Sequence, residues 1–215
     1  MLHLSRRLHA PKIWIECEVR DKDGKLIDKR RFRGMSWVGR IVELFSCIVG
    51  SWGSSGGNYP IVYTKSDLKD TGGTYRHICF ASSTSGMPIG GNAPAGETTA
   101  GICVGSSDTP VSIDQYNLVS KIPHGSGAGQ LLYGSSTAED IVRTSNTFSV
   151  KFIRTFTNNS GETVTVREIG LFIRLGMYGS PHGYSCMLAR DVLPTPIDIP
   201  NGATLTVRYI ISHTV

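Results

Sequence analysis

The stretch that decides the fold is Phe148-Ser-Val-Lys-Phe-Ile-Arg-Thr-Phe-Thr157, in which apolar and polar residues alternate. The alternation stops at Asn158-Asn-Ser-Gly161, resumes over residues 162–174 and returns over residues 204–212. A period of two turns one face of a strand to the core and the other to solvent, and Asn, Gly and Pro between such runs are typical of turns. The pattern therefore predicts a mainly β fold of half-buried antiparallel strands, arranged like a β-sandwich.

The first fifty residues predict a β-hairpin followed by one helix. Residues 12–20 alternate, Asp21-Lys-Asp-Gly24 has the composition of a hairpin turn, and residues 25–33 return as a second strand. Ser36 is a candidate helix N-cap, and helical spacing of apolar residues continues to Gly50. The apolar stripe of this short amphipathic helix, which we expect to cover an open sheet face, is Trp37, Ile41, Leu44, Phe45 and Ile48.

Length and composition describe a folded chain with three segments. At 215 residues, of which 40% are hydrophobic and 18% charged, the protein can bury a sizeable core, and neither disorder nor a membrane protein fits. We expect a basic arm, hairpin and helix over residues 1–50, a Gly/Ser linker over residues 51–58, and a β-sandwich domain with long Gly-rich loops over residues 59–215.

The positive charge is concentrated near the N-terminus. The net charge is +5, and residues 1–40 hold 11 Lys/Arg against 5 Asp/Glu, whereas the remainder holds 11 against 12. A basic segment of this kind can meet nucleic acid, an anionic membrane or an acidic protein, or it can simply be a solvated hairpin whose charges block unwanted strand pairing.

The cysteines and the first residues predict a chain made in a reducing cytoplasm. Five cysteines are present, an odd number without C-x-x-C spacing, so neither a zinc site nor a disulfide framework is indicated. Each of Cys17, Cys47, Cys79, Cys103 and Cys186 has apolar neighbours, as a reduced core cysteine would. The first ten residues lack the apolar run of a secretory signal, and no run is long enough to span a membrane.

The usual chemical motifs are incomplete, so we expect no catalytic, cofactor or metal site and no enzyme. Gly125-Ser-Gly-Ala-Gly129 lacks the Lys-Ser/Thr of a phosphate-binding loop, and the calcium-like start at Asp21 has Phe32 where the loop needs a Glu. The six histidines have no metal-ligand spacing, and no G-x-S-x-G is present. Asn158-Asn-Ser160 is formally a glycan sequon, and we expect it to form a turn.

Aromatic and basic residues also alternate in one predicted strand. Phe152, Arg154 and Phe156 would share one face, and Lys151 and Ile153 the other. A stacking platform for single-stranded nucleic acid is one interpretation, and the two faces of a packed sheet are the simpler one.

Three passages resemble virion structural proteins of tailed bacteriophages and related prokaryotic viruses. Residues 101–125 are similar to G-x-G-(S/T)-(S/T)-x-T-P-V-(S/T)-x-x-D-Y-x-L, with Asp114-Gln115-Tyr116 in place of an adjacent D-Y and Cys103 in place of a smaller residue. Residues 154–171 match R-x-F-x-N-x-S-G-x-x-(I/V)-x-V-x-E-I-G-L. Residues 188–210 match L-A-R-D-x-L-x-x-P-I-x-I-P-x-G-x-x-L-T-V-x-Y-x-I.

The resemblance implies a β-sandwich or jelly-roll component of the virion, present in many copies and without catalytic residues. Such a subunit would self-associate and dock on other capsid or tail proteins, and its basic N-terminal segment could also meet packaged DNA. We expect contacts from the basic arm and hairpin and from loops at residues 82–97 and 176–183. The candidate contact residues are Arg6, Arg7, Lys29, Arg30, Arg31, Arg33, Met87 and Tyr178.

Two other functions stay open at this stage. One is a receptor- or carbohydrate-binding module of a tail fibre or spike, for which exposed aromatic residues beside Asp or Asn would be needed, and Trp52, Tyr59 and Tyr178 are candidates. The other is a nucleic-acid-binding protein that uses the basic N-terminal segment, whose affinity would fall steeply with salt.

Overall fold

The computed structural model describes residues 12–34, 52–54, 61–79, 90–177 and 180–214. All helical or strand structure in these ranges is β strand, which confirms the mainly β prediction. The helix predicted between Ser36 and Gly50 lies outside the described residues. The strands are β1 (Lys12–Arg20), β2 (Leu26–Gly34), β3 (Trp52–Ser54), β4 (Ile61–Lys69), β5 (Tyr75–Cys79), β6 (Gly101–Gly105), β7 (Leu132–Ala138), β8 (Val142–Thr144), β9 (Thr147–Thr157), β10 (Val164–Met177), β11 (Ser180–Ile199) and β12 (Thr204–Thr214).

The strands form two antiparallel sheets. The first sheet has the order β2-β1-β12-β9-β7, with β8 also paired to β9. The second has the order β11-β10-β5-β4-β3, with β6 also paired to β10. Because β1 pairs with β12, for example at Ile15 and Tyr209, the N-terminal hairpin extends the sheet that the C-terminal third builds.

The predicted hairpin turn joins β1 to β2. The Asp21 carboxylate accepts hydrogen bonds from the backbone N–H groups of Asp23 and Lys25 at 2.9 and 2.8 Å. Gly24 has a φ of 81°, which a residue without a Cβ adopts at little cost. The turn therefore forms for the reasons that its composition indicates.

Side chains from both sheets form one hydrophobic cluster. On β1 the residues predicted to face inward, Ile13, Ile15, Cys17 and Val19, are all buried. They share the cluster with inward residues of β9 and β12 and with apolar residues of β6, β10 and β11. Each fully buried side chain of this size contributes about 1.5–3 kcal/mol relative to an exposed one, so this cluster supplies the main driving force for joining the sheets.

The alternation predicted over residues 162–174 fails in the middle of β10. Every residue from Glu168 to Ile173 is buried, so both faces of the strand are covered there. One face meets the common core, and Leu118 of the preceding irregular segment packs over Gly170 on the other. A strand covered on both sides has no solvent face, and its sequence need not alternate.

Most of the contact loop predicted at residues 176–183 belongs to strands. β10 continues to Met177 and β11 begins at Ser180, and the pairing of these two strands shifts register in three places. Such bulges add an unpaired residue to one strand without ending its pairing with the neighbouring strand. Pro194 and Pro196 are tolerated because they lie between Val192 and Ile197, where the register shift leaves β11 without partner residues on β10 and a missing N–H breaks no ladder bond.

The cysteines whose side chains are described lie in the core. Cys17, Cys103 and Cys186 are buried and unbridged, whereas Cys47 and the side chain of Cys79 lie outside the described part of the chain. Burial raises the pKa of the Cys17 thiol to about 12 and that of Cys103 to about 11, so both stay protonated near neutral pH. No helix long and apolar enough to cross a bilayer occurs in the ranges described above.

Candidate functional site

Five charged side chains of the described residues are almost completely withdrawn from solvent. Asp70 closes a turn, and the other four belong to the passages that resemble phage proteins. Since an isolated buried charge is very costly, each needs a polar partner. The set is Asp70, Arg154, Glu168, Arg190 and Asp191, with exposed fractions of 5, 0, 0, 0 and 4%.

Arg190 and Glu168 form a buried ion pair on adjacent strands of the second sheet. The Nε of Arg190 donates to Oε2 of Glu168 at 2.6 Å, and both side chains are 0% exposed. The two other guanidinium nitrogens reach out of the sheet, where Nη1 donates to Oε1 of Gln115 at 2.9 Å and Nη2 to the carbonyl oxygen of Thr109 at 2.8 Å. The guanidinium is thus held by three partners, one on β10 and two in the irregular segment before it.

The carboxylate of Glu168 makes further bonds to the segment at residues 106–121, here called the cover loop. Its Oε2 accepts the backbone N–H of Val119 at 3.2 Å, and its Oε1 that of Ser120 at 2.8 Å. The backbone of the cover loop makes almost no hydrogen bonds to a neighbouring strand. The bonds from Glu168 and Arg190 therefore satisfy backbone groups that would otherwise be buried without a hydrogen-bond partner. The ion pair therefore fixes the cover loop onto β10.

Two glycines make room for this arrangement. A Cβ at Gly105, on the neighbouring strand, would collide with the carboxylate of Glu168. A Cβ at Gly170 would lie 2.8 Å from the ring of Phe172 and 3.0 Å from the side chain of Leu118. Gly105 and Gly170 are thus required by the charged and apolar groups packed against them.

Asp191 faces the other way from Arg190, as successive residues of a strand do. Its carboxylate accepts a hydrogen bond from the hydroxyl of Tyr209 on β12, which connects the two sheets. Burial raises the pKa of Tyr209 well above its usual value, and the negative charge of Asp191 adds to the rise. The consecutive residues Arg190 and Asp191 of the third passage thus bind the cover loop on one face of β11 and the first sheet on the other.

Arg154 on β9 is buried among carbonyl oxygens. Its guanidinium lies 4.8 Å from the centre of the Tyr133 ring, and burial lowers its pKa from the usual value. As predicted, Arg154 and Phe156 share a face of the strand, but that face is buried, so it offers no stacking platform to nucleic acid. The carbonyl oxygens that accept from the guanidinium are those of Pro94, Glu97, Ala100, Ile102 and Gly134, at 3.4, 2.5, 3.0, 2.9 and 2.8 Å.

The side chain of Glu97 connects residues 97–99 to Arg174 on β10. It accepts two hydrogen bonds from Thr99 at 2.7 Å and pairs with Arg174 at 2.8 Å. Partial burial raises the pKa of Glu97, but the bonds from Thr99 and Arg174 outweigh it and lower the pKa to about 2. The carboxylate is therefore ionised in the folded protein down to strongly acidic pH.

The formal glycan sequon is part of the core. Asn158 is 0% exposed, and its Nδ2 donates to the carbonyl oxygens of Glu162 and Ile199 at 2.7 and 2.6 Å. Its Oδ1 accepts the backbone N–H of Ser160 at 3.0 Å. The amide that a glycan would modify is fully engaged, so the sequon forms a turn, as we expected.

The buried polar groups described above hold segments of the chain together. Within the described ranges, no group of three or more His, Cys, Asp or Glu is placed to hold a metal ion. No protein-family model matches the chain, and neither a curated protein nor a solved structure shows significant similarity to it.

Half of the candidate contact residues can be located. Lys29, Arg31 and Arg33 alternate along β2 and are exposed, whereas Arg30 points to the opposite face. There Arg30 donates to the carbonyl oxygens of Thr195 and Pro196 at 3.2 and 2.9 Å and pairs with Asp28 at 2.7 Å. Arg6, Arg7, Met87 and Tyr178 lie outside the described residues.

Lys29, Arg31 and Arg33 belong to a charged surface of the first sheet, here called the outer face. Glu18 at its centre pairs with Arg20 at 2.6 Å and Lys29 at 3.6 Å, and Arg31 lies 4.6 Å above the Trp14 ring. Seven cations face four acids, Glu16 and Glu18 within the strands and Glu139 and Asp140 beside Lys151, so the outer face is positive overall. Its members in β1, β2, β9 and β12 are Lys12, Trp14, Glu16, Glu18, Arg20, Lys29, Arg31, Arg33, Lys151, Ile153, Arg208 and Ile210.

The sequence analysis missed two cations of this surface and the partners of the buried charges. Lys151 and Arg208 lie far from the basic segment in sequence and reach the outer face because β9 and β12 pair next to β1. The period-two pattern predicted their orientation but not their neighbours. The passages singled out Glu168 and Arg190, yet their pairing depends on the register between β10 and β11, which the sequence does not reveal.

We predict that breaking the buried ion pair is strongly destabilising. Glu168→Gln or Arg190→Met alone should lower the free energy of unfolding by about 3–5 kcal/mol, because the remaining partner stays buried without its counter-charge. Urea unfolding measures this loss, and the double variant should lose less than the sum of the two single variants. Glu139→Gln and Lys151→Met are matched controls: that pair lies at 2.7 Å but is exposed, so each change should cost about 1 kcal/mol or less. Single-variant losses no larger than those of the control pair would contradict the assigned role.

We also predict an acid-dependent contribution from Glu97. The folded-state pKa of about 2 lies below the ordinary 4.5, so the stabilisation is complete above about 4.5 and is lost as the pH falls towards 2. Glu97→Gln should therefore lower the unfolding temperature at neutral pH, and its difference from wild type should shrink between these two values. Thermal unfolding as a function of pH tests this, and a difference that stays constant throughout would refute the assignment.

Proposed function

We propose that this chain is a non-enzymatic structural subunit of a bacteriophage particle. In this proposal its two sheets form a β-sandwich of the jelly-roll kind, many copies associate with one another, and they dock on other capsid or tail proteins. The protein would be made in the host cytoplasm and end in the virion. The proposal rests on the three passages that resemble phage virion proteins and on what their residues do in the fold.

The observation that carries the proposal is that the three passages meet at one buried point. Gln115 comes from the first passage, Glu168 from the second and Arg190 from the third, and they are joined by bonds of 2.9 and 2.6 Å. Their hydrogen bonds fix the cover loop, so the residues of the resemblance have a structural role here. A subunit with fixed loops loses little conformational freedom on association, which favours ordered assembly.

The outer face is the surface that we assign to a partner. Its cations stand on four neighbouring strands, and strands lie about 4.8 Å apart, so the surface spans roughly 14 Å across the sheet. A net positive, flat face fits an acidic surface on a neighbouring subunit, and complementary charge also suppresses wrong partners. Packaged DNA is the other polyanion that such a face could meet.

We predict that neutralising the edge of the outer face weakens self-association. Wild-type protein should elute as a closed trimer, pentamer, hexamer or larger ring, measured by light scattering after size exclusion with negative-stain images of the same peak. Arg31→Gln/Arg33→Gln should shift the population towards monomer. Lys22→Gln/Lys25→Gln removes the same charge from the exposed hairpin turn, and it should assemble as wild type does.

A wild-type protein that is monomeric at every concentration would contradict self-association. Equal loss of assembly in both double variants would contradict the outer face as the contact surface, since net charge alone would explain the effect. Co-elution with duplex DNA at low salt, with no protein oligomer in its absence, would favour the nucleic-acid function in its place.

A further inference from the structure

The cover loop presents apolar side chains on the side of the molecule where it overlies the second sheet. Tyr116 is 37% exposed, Val119 50% and Ile113 69%, and Tyr75 of β5 is 56% exposed. Tyr75 and Tyr116 flank the same ammonium group, that of Lys69, at 5.6 and 4.7 Å from the ring centres. Exposed apolar and aromatic groups gathered on one surface are typical of binding sites, whereas single ones are not.

Beside Tyr116 the surface forms an open depression of about 480 Å³, here called the Tyr116 depression. This volume is within the range usual for sites that bind small molecules. One wall is the β4–β5 turn and the other is the cover loop, and Nδ2 of Asn117 connects them by donating to the carbonyl oxygen of Thr71 at 3.2 Å. The lining residues are Thr71, Gly72, Gln115, Tyr116, Asn117, Leu118 and Val119.

Both walls are fixed before any ligand arrives. Arg190 holds the Oε1 atom of Gln115, and the carboxylate of Glu168 holds the backbone at Val119. In the opposite wall, the Asp70 carboxylate accepts the backbone N–H of Gly72 at 2.9 Å. A site built in this way spends little binding free energy on ordering its own groups.

The chemistry of the lining restricts the ligand. None of the seven lining residues is charged, so a phosphate or a free carboxylate would find no counter-charge among them. The Lys69 ammonium already lies against the rings of Tyr75 and Tyr116, which opposes a second cation. The uncharged lining therefore fits a neutral ligand that has both an apolar face and hydrogen-bonding groups, whereas an anion would have to draw the Lys69 ammonium away from the two rings.

Hydrogen-bonding groups are available beside the aromatic surface. The Nε2 group of Gln115 and the hydroxyl of Tyr116 make no hydrogen bond to any residue that the structure describes. Leu118 and Val119 supply apolar surface at the same place. A sugar ring matches this combination, because its C–H face packs on an aromatic ring while its hydroxyls bond to amides and phenols.

We propose that the Tyr116 depression binds a neutral pyranose unit of an oligosaccharide, with Tyr116 and Tyr75 as the stacking surface and the Nε2 group of Gln115 as a hydrogen-bond donor. Binding is non-covalent and requires neither a cofactor nor a bond-breaking step. The open shape admits one or two units of a longer chain. The inference does not depend on assembly, since the depression is complete within one copy of the chain.

The test is binding of neutral hexose and N-acetylhexosamine di- to tetrasaccharides, first on a printed array and then by saturation-transfer NMR and calorimetric titration. At least one of them should bind with Kd in the millimolar range or tighter. Tyr116→Ala and Tyr75→Ala should each weaken that binding by about tenfold or more. Tyr116→Phe should keep most of the affinity because it retains the ring.

A matched control exists on the other sheet. Phe148 is 36% exposed and stacked by Arg143 at 4.5 Å, much as Tyr116 is 37% exposed and stacked by Lys69. Phe148→Ala should leave binding unchanged, and the unfolding temperature of each variant shows whether it is folded. Tyr75 is the more exposed of the two tyrosines, so Tyr75→Ala keeps the test valid if Tyr116→Ala unfolds.

Two results would overturn the proposal. One is that no neutral oligosaccharide of the array binds in solution. The other is binding that Tyr116→Ala and Tyr75→Ala leave within twofold of wild type, or that Phe148→Ala weakens equally. A proline-rich peptide that binds at Tyr116 where the sugars do not would likewise overturn it, since such peptides also dock on exposed aromatic rings.

Discussion

The structure depends on one buried ion pair, between Arg190 and Glu168. Two charges removed from water cost several kcal/mol each, and their attraction offsets this only when the remaining donors and acceptors are also satisfied. Here they are, because the guanidinium reaches Gln115 and the carbonyl oxygen of Thr109, and the carboxylate accepts two backbone N–H groups. The pair therefore holds an irregular segment, the cover loop, in a fixed position against the second sheet.

The other buried polar groups follow the same logic. Asp191 accepts a hydrogen bond from Tyr209 across the core, and Arg154 collects carbonyl oxygens from residues 94–102 and Gly134. Asn158 closes the turn that precedes β10. In each case a polar side chain satisfies backbone groups that have no strand partner, which is how buried irregular segments avoid unpaired donors and acceptors.

Polar groups in the core and polar groups at the surface have different roles. Charges in the core are paired or solvated by carbonyl groups, so they are unavailable to a substrate. The outer face keeps its charges in solvent, where they can meet a charged partner, and the Tyr116 depression offers uncharged groups on a wall that the ion pair holds in place. The buried structural groups, the proposed partner surface and the proposed ligand site thus lie on different parts of one small chain.

The sequence predicts local structure well and tertiary partners poorly. The alternation over Lys12–Arg20 gave that strand with its bounds, and the Asp21–Gly24 turn followed from its composition, because both depend on neighbours in sequence. The centre of β10 was misread because its second cover comes from the cover loop, about fifty residues earlier. The motif passages contained Glu168 and Arg190, but only strand register brings them together.

The central claim is that the ion pair pins the cover loop, and amide hydrogen exchange at Ser120 tests it most directly. In the wild-type protein this N–H, which donates to Glu168 at 2.8 Å, should exchange as slowly as the ladder amides of β10. In Arg190→Met it should exchange as fast as an exposed loop amide, while the amides of β12 stay protected. Fast exchange at Ser120 in the wild type, or unchanged protection in the variant, would contradict the account.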